Sequence, residues 1–268
     1  MSKNDEKYRA PALEKGLDIL ELLSLHADGM AQGDIAKALD RSQSEIYRML
    51  STLVRRGYVL RSKDGDLYSL TLKMFAISQR QPPIQRLLEM AMPRMRALTL
   101  KAWQSCHLGM ESNGDIVVVA SVESPGNWGL ALRVGTVIGL GNTGTGRVLA
   151  AFRSDEEVDV LLRQHRLARG EPDIDREEFL DHIARIRETG FERMQSMTAV
   201  GVTNLAYPVL DRDGHAVSVV NCPFLERIDK FDVPDIEEVH ALYQSLAEDL
   251  TSFYSGQSNE PLVMQLAT

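Results

Sequence analysis

The first part of the chain alternates between apolar residues at helical spacing and short polar breaks. Ala12–His26 and Asp34–Leu39 each carry the periodicity of an amphipathic helix. A third helix is predicted to begin after Ser42, because Glu45 completes a capping box with it. This helix is expected to end at Gly57, a residue type that favours helix termination.

Two β-prone runs follow the third helix. Tyr58–Arg61 and Leu67–Leu70 flank Asp64-Gly65, a dipeptide typical of hairpin turns. Helices and a hairpin in this order predict a winged helix-turn-helix domain over residues 1–70.

The third helix divides into an apolar and a polar face, because residues at steps of three and four share a side. The inward set is Ile46, Leu50, Leu53 and Val54, and the outward set is Ser44, Tyr47, Arg48, Ser51 and Arg55. Hydroxyl, phenol and guanidinium groups near a helix N-terminus suit DNA bases, and arginines further along suit phosphates. The alternative is a small helical subdomain whose polar face is merely solvated.

A linker follows the hairpin. Leu72–Gln79 favours a helix, and Gln81-Pro82-Pro83 is expected to break the chain, so residues 71–83 are predicted to be a linker helix. Its apolar residues either form a subunit contact or cover the hairpin core; they are Leu72, Phe75 and Ala76.

Residues 84–256 are predicted to form a second domain, and residues 257–268 a tail without a pattern. A long helix over Ile84–Trp103 is expected to kink or restart at Pro93. The predicted strands are Cys106–Glu111, Ile116–Val122, Leu130–Ile138, Phe191–Met197, Thr203–Leu210 and Ala216–Phe224. The predicted helices are Arg147–Phe152, Ser154–His165, Asp175–Thr189 and Asp235–Phe253. Hairpin pairs with clustered helices indicate an α+β fold with an antiparallel sheet.

The composition suits an ordinary globular chain of two domains, with 268 residues, 44% hydrophobic and 25% charged. The absence of a long apolar run or a signal-like N-terminus predicts a cytoplasmic protein without a membrane partner. Cys106 and Cys222 lack the spacing of a zinc site or a disulfide framework and are expected to pack as small apolar residues. No spacing supports a metal or nucleophile role for them with His107, so no metal, cofactor or catalytic residue is predicted.

Charge is unevenly distributed. The formal net charge of −8 by itself disfavours nucleic acid, but residues 41–80 hold eight basic and only three acidic residues. Because DNA phosphates meet the local field, a basic surface on an acidic body fits DNA binding.

The stretch Val137–Arg147, VIGLGNTGTGR, matches two phosphate-binding patterns, a dinucleotide fingerprint and the start of a P-loop. The fingerprint needs a βαβ unit, whereas helices are predicted from here to Phe191. The P-loop needs Lys and then Ser or Thr, where this chain has Arg147-Val148. Glycine N–H groups before a helix still suit a carboxylate or another small anion. The alternative is that the glycines only allow a tight turn, since glycine clusters commonly mark loops.

The segments ALEKGLDILELL, DIAKAL, SEIYRMLSTLVRRGYV and YSLTLKMF resemble the N-terminal domain of IclR-family bacterial transcription regulators, and the order of elements continues to match over residues 11–255. The resemblance implies that Gln43, Ser44, Tyr47 and Arg48 occupy recognition positions and that Lys63 lies on the wing. Ser42 stands where the family often has proline, and the same helix start is expected from its capping ability.

The resemblance also implies a GAF-like or profilin-like effector domain. Its effector-binding positions would be Gly144, Thr145, Asn204, Val219 and Asn221, and strand alternation places the last two on one face. Met194–Met197 replaces an acidic run of many members, so that side is expected to be neutral. We therefore expect a polar organic effector, such as a carboxylate or a hydroxy-aromatic acid. Trp128 either covers the effector or is a buried loop residue.

These observations predict a regulator, acting as repressor or activator, that binds a pseudo-palindromic DNA operator as a homodimer or homotetramer. The linker helix would take part in dimerisation, as the resemblance implies. The alternatives are a nucleotide-dependent enzyme using Gly139–Gly146 and an adaptor that has lost its ligand.

Overall fold

The computed structural model describes residues 10–229 and 231–256. The first nine residues of the predicted DNA-binding domain and the predicted tail, 257–268, lie outside this described part. The chain divides into two compact units between Gln85 and Arg86. The domain limits read from the sequence stay predictions.

The first unit contains three helices, a small sheet and a short fourth helix. Its helices are α1 (Pro11–Ser24), α2 (Gln32–Ala38), α3 (Gln43–Arg55) and α4 (Lys73–Ser78), and its strands are β1 (Met30–Ala31), β2 (Val59–Arg61) and β3 (Leu67–Leu70). The strands pair antiparallel in the order β1-β3-β2. Ile19, Ile35, Ile46 and Leu50 are fully buried between the helices. The predicted winged arrangement is therefore confirmed.

Local signals set the ends of α3 and the hairpin as expected. Ser42 and Glu45 form both bonds of the capping box. Gly57 and Gly65 adopt φ of +74° and +81°, which glycine reaches without strain. The sequence did not predict β1, because a two-residue strand has no periodicity and exists only through its pairing with β3.

The linker helix α4 ends at Ser78, and the next helix already begins within the predicted linker, at Pro82. Leu72 is 81% exposed and Phe75 is 63% exposed within this unit, so the idea that they cover the hairpin core is wrong. The next helix, α5 (Pro82–Ala102), begins at the prolines themselves, because a proline in the first turn needs no N–H partner. It runs through Pro93 without restarting, and Leu87, Ala91 and Met95 on one face are fully buried.

The second unit is a six-stranded antiparallel sheet with helices on both faces. Its strands are β4 (Cys106–Ser112), β5 (Asp115–Val122), β6 (Val137–Ile138), β7 (Glu192–Gln195), β8 (Val202–Leu210) and β9 (Ala216–Leu225), in the order β6-β5-β4-β9-β8-β7. Its further helices are α6 (Gly144–Ala151), α7 (Asp155–Gln164), α8 (Arg176–Thr189) and α9 (Ile236–Tyr254). α5 and α9 share one core with the sheet, and α6, α7 and α8 share the other. The predicted α+β class is confirmed.

One predicted strand is largely wrong. Leu130–Ile138 was expected to be a strand, but only Val137–Ile138 pairs with β5. Gly135 has φ of +86°, and the Thr136 N–H donates to the Arg133 carbonyl, so the chain turns just before the pairing begins. Among the described residues, no helix has the length and apolar character to span a bilayer.

Candidate functional site

The predicted DNA-contact residues are all exposed. Six of them lie on α3, which begins at Gln43, and Lys63 lies in the turn of the hairpin. The exposed set is Gln43, Ser44, Tyr47, Arg48, Ser51, Arg55 and Lys63. Tyr47 is 53% exposed although it is aromatic, which leaves its ring and hydroxyl available to a partner.

The start of α3 is fixed by a small charge network. Lys15 Nζ lies 2.5 Å from Glu45 Oε1, and Ser42 donates to the other oxygen of the same carboxylate at 2.7 Å. The hydrogen bonds from Lys15 and Ser42 lower the pKa of Glu45 to about 2. The only acid in the first turn of α3 is thereby paired, and the arginines of the outer face keep their positive field.

Arg61 stabilises the turn of the hairpin through two contacts within the hairpin. Arg61 Nε donates to the Gly65 carbonyl at 2.7 Å, and its guanidinium lies 5.7 Å from the Tyr68 ring centre. Lys63 is left exposed at the turn, which is the position expected of a wing residue.

The last two glycines of the stretch, Gly144 and Gly146, lie in the first turn of α6 rather than in a loop before it. The helix begins at Gly144, three residues earlier than predicted, because the Thr143 hydroxyl accepts from the Gly146 N–H at 3.0 Å. The Arg147 N–H donates to the Thr143 carbonyl. Helix geometry leaves the N–H groups of Gly144 and Thr145 without an intrahelical acceptor.

A row of side chains crosses four strands opposite this helix start. His107 pairs in register with Asn221, Asn221 with Ala206, and Ala206 with Glu192. Cross-strand partners share a face of the sheet. His107, Asn221 and Glu192 are each at least nine-tenths buried, so the row is a polar floor inside the unit.

Three predicted effector residues come together on this floor. Asn221 Nδ2 donates to Asn204 Oδ1 at 3.2 Å. A Cβ placed on Gly144 would lie 3.4 Å from Asn221 Oδ1 and 3.6 Å from Asn204 Cβ. The Asn221 Oδ1 atom itself has no donor among the described residues. A buried acceptor left unsatisfied costs about 1–3 kcal/mol.

The other two predicted residues lie beside this cluster. Thr145 Oγ1 is 3.2 Å from His107 Nε2. Val219 shares the face of Asn221 but is completely covered, in the core that α6 forms with the sheet. Val219 is thus placed as apolar support, one alternation step from Asn221.

His107 was considered from the sequence only as a metal or nucleophile partner, and its position in the polar floor was missed. Burial lowers the pKa of His107 to about 4, so the ring is neutral near pH 7. A neutral imidazole has one donor and one acceptor nitrogen. Alternation along β4 was the only sequence signal that placed it on the side opposite Cys106.

The neutral lining expected at Met194–Met197 stays a prediction, but an acidic residue lies two positions before that run. Glu192 closes the row, and its carboxylate is 2.5 Å from His182 Nε2 on α8. Arg147 Nη1 lies 3.1 Å from the same ring nitrogen, and burial lowers the pKa of Arg147, while Glu192 and Glu178 oppose that change. No local pattern announces this cluster, because its members lie on three separate elements.

The remaining glycines serve close packing. A Cβ on Gly146 would collide with the Leu140 backbone, and one on Gly139 with the Asn142 side chain. Glu171 Oε1 accepts from the Gly141 N–H at 2.8 Å, and Arg147 Nε donates to the Gly141 carbonyl at 2.7 Å. The Gly141 N–H that a nucleotide phosphate would need as a donor is therefore already engaged.

The cysteines and Trp128 were the other candidates for a functional role. Cys106 and Cys222 are buried, and burial raises the pKa of Cys106 to about 12 and that of Cys222 well above its ordinary value. The described part of the chain contains no cluster of three metal-binding side chains. Trp128 is 72% exposed, so the buried alternative for it is wrong.

Both parts of the chain match domains of one known family. Residues 12–63 match the IclR helix-turn-helix domain, and residues 84–250 match the bacterial transcriptional regulator IclR C-terminal domain. The chain belongs to the IclR family of bacterial transcriptional regulators, which joins a helix-turn-helix domain to an effector-binding C-terminal domain.

Named relatives are regulators as well. The HTH-type transcriptional regulator KdgR of Dickeya chrysanthemi is 29% identical over 193 residues, which is 71% of this chain and only 63% of that protein. KdgR of Escherichia coli is 26% identical, over 82% of this chain and 83% of the relative. The transcriptional repressor AllR of E. coli is 23% identical, over 79% of both chains.

Solved structures share the fold. An IclR homologue from Microbacterium hydrocarbonoxydans, complexed with 4-hydroxybenzoate, superposes with a TM-score of 0.75 at 16% identity, over 92% of this chain and all of that one. An IclR regulator from Alicyclobacillus acidocaldarius gives a TM-score of 0.72 at 20% identity, over 93% and 100% of the two chains.

Proposed function

We propose that this protein is a cytoplasmic transcriptional repressor whose binding to a pseudo-palindromic operator is controlled by a small organic acid. The observation that carries the proposal is the exposed face of α3, where recognition side chains stand opposite the buried Ile46 and Leu50. A helix with this division presents its polar side to the major groove. The related AllR is named a transcriptional repressor, which supports repression rather than activation.

The proposed DNA contacts divide by chemistry. Gln43, Ser44, Tyr47 and Arg48 lie near the N-terminus of α3 and would contact base edges. Further contacts, to phosphates, are proposed for Ser51, Arg55 and Lys63.

Fluorescence anisotropy with the DNA upstream of the protein's own gene tests this proposal. Arg48→Ala should weaken specific binding by about 1–3 kcal/mol if the guanidinium contacts a base. Arg163→Ala is the matched control, because Arg163 is an exposed arginine on α7, far along the chain from α3. Absence of salt-dependent binding by the unaltered protein would reject the proposal.

The effector site is proposed at Gly144, Thr145, Asn204, Val219 and Asn221. Free N–H groups at the start of α6 favour an anion, and the amides of Asn204 and Asn221 offer donors and acceptors. The 4-hydroxybenzoate bound by the Microbacterium relative supports an organic acid of this general kind.

Gly144→Val tests the location of the effector site. A Cβ atom at position 144 would lie 3.2 Å from Ala206 Cβ. The valine side chain would therefore fill the space between α6 and the sheet. Release of operator DNA by organic acids should be lost, while operator binding without them should persist. Loss of both together would mean that the glycine is only structural.

We propose a homodimer or homotetramer, with α4 in the subunit contact. Leu72 and Phe75 are exposed on or beside this short helix, and exposed apolar groups of this size gain free energy when a partner covers them. Phe75→Glu should lower the mass measured by sedimentation equilibrium, whereas Ser78→Glu on the same helix adds the same charge to a polar position. Equal masses for both variants would remove α4 from the interface.

A further inference from the structure

We propose that Lys15 of α1 is a positioning residue for operator binding, because it neutralises and holds the Glu45 carboxylate and so keeps Arg48 available to DNA. Lys15 itself is not proposed to touch the DNA. The inference rests on the proposed function, since it concerns the same helix α3. It adds a residue outside the DNA-contact set on which the affinity for the operator depends.

Glu45 places a negative charge among the residues proposed to contact DNA. It is the one acidic residue in the first turn of α3, between Ser44 and Tyr47, and its side chain is 33% exposed. The hydrogen bonds from Lys15 and Ser42 lower the pKa of Glu45 to about 2, so the carboxylate is ionised near pH 7. Like charges brought together across an interface oppose binding, so a free carboxylate here would repel the phosphates.

Both oxygens of Glu45 are held by groups outside the proposed DNA-contact set. Lys15 Nζ donates to Oε1 at 2.5 Å. Ser42 donates to Oε2 at 2.7 Å through its hydroxyl and at 3.2 Å through its N–H. Only Lys15 brings a positive charge, and its side chain, 23% exposed, reaches the acid from a separate helix. The ion pair therefore cancels the charge of Glu45 and fixes its carboxylate to α1.

Without Lys15, the next basic residue on α3 would compete for this carboxylate. That residue is Arg48, three positions after Glu45, and an acid and a base at this spacing pair on the helix surface. Arg48 is exposed and has no ion-pair partner within the described part of the chain. Loss of Lys15 would thus leave a negative charge beside the phosphates and also engage the guanidinium that is proposed to contact a base.

Fluorescence anisotropy of the full chain with the DNA upstream of its own gene tests the inference. Lys15→Met removes the charge and keeps a long side chain, and we expect the Kd to rise roughly five- to tenfold. Glu45→Gln keeps the capping box, because glutamine also serves at that position, and should bind at least as tightly as the unaltered protein. The matched control is Lys101→Met, which removes an exposed lysine from α5 and should leave the Kd unchanged.

The double variant Lys15→Met with Glu45→Gln separates action through Glu45 from a direct contact of Lys15 with DNA. We expect it to bind as tightly as Glu45→Gln alone, and Lys15→Arg, which keeps a cation, to retain most of the affinity. Arg48→Ala should weaken binding less in the Lys15→Met chain than in the unaltered chain, because Arg48 is already engaged there.

Loss of folding is separated from loss of affinity by circular dichroism and thermal unfolding of each variant. Affinities are compared at a temperature at which every variant is folded, so reduced stability by itself would leave the Kd unchanged. Lys15→Gln replaces the methionine variant if that protein is unfolded at the assay temperature.

Three results would overturn the inference. An unchanged Kd for folded Lys15→Met would show that the ion pair does not affect DNA binding. The same loss with glutamate or glutamine at position 45 would make Lys15 a direct phosphate contact. In both cases the unaltered protein still binds the operator, so the proposed function stands. Absence of operator binding by the unaltered protein would reject the proposed function and this inference together.

Discussion

His107 Nε2 lies 3.2 Å from Thr145 Oγ1, which links the centre of the sheet to the first turn of α6. The two residues are far apart in the chain, and both are almost completely buried. This bond fixes one side of the candidate effector site to a strand that the effector itself is not proposed to touch.

Stability should depend on pH through His107. Burial lowers its pKa to about 4 from an ordinary 6.5, so between these values the unfolded chain binds a proton that the folded chain does not. The free energy of unfolding should therefore fall as pH drops through this window, by about 3 kcal/mol in total. Urea unfolding at several pH values, compared with His107→Gln, isolates this contribution. Identical pH profiles for the two proteins would contradict it.

Gly109 is required by Thr145. A Cβ on Gly109 would overlap Thr145 Cγ2, while its other neighbours lie at ordinary contact distances. Gly109→Ala should destabilise the protein by about 1–3 kcal/mol through overpacking. The double variant with Thr145→Ser removes that methyl group and should recover most of the loss in thermal unfolding. A double variant as unstable as the single one would place the strain elsewhere.

Arg55 should contribute to operator binding mainly through charge. It is exposed in the last turn of α3, away from the helix start where base contacts are proposed. Arg55→Ala should weaken binding to all DNA sequences similarly and reduce the slope of log affinity against log salt by about 1. Anisotropy titrations over a range of salt measure both. A selective loss for the operator would instead assign Arg55 to base contact.

Both thiols should be unreactive in the folded protein. Burial raises the pKa of Cys106 to about 12 and that of Cys222 well above its usual range, and the thiolate is the reactive form. Ellman's reagent at about pH 8 should label neither native cysteine, and both in strong denaturant. Rapid labelling of the native protein would show that the sheet opens at this position.

Much of the first unit follows from local sequence. The capping box at Ser42, the glycine after α3 and the Asp64-Gly65 turn each act within a few residues, so they define the helix and hairpin wherever the unit is placed. The periodicity of α3 also separates its buried and exposed faces, because helical geometry fixes which residues share a side. For this reason the polar face of α3, which is proposed to bind DNA, could be predicted from the sequence.

Local signals failed where packing decided the outcome. Leu130–Val134 has the composition of a strand, yet the turn at Gly135 leaves only Val137 and Ile138 paired. Pro93 would end an isolated helix, but α5 continues through it with its apolar face buried against the sheet. In both cases the tertiary context outweighs the preference of the segment.

The sequence by itself determined the two-part organisation, the faces of α3 and the alternation that points Val219 and Asn221 the same way. Only the tertiary structure decided that β9 lies between β4 and β8, which brings His107, Asn221 and Glu192 into one row. It also decided that His182 and Arg147 meet Glu192. The physical reason is that periodicity fixes which side of an element is buried, whereas strand neighbours are set by long-range pairing and core packing.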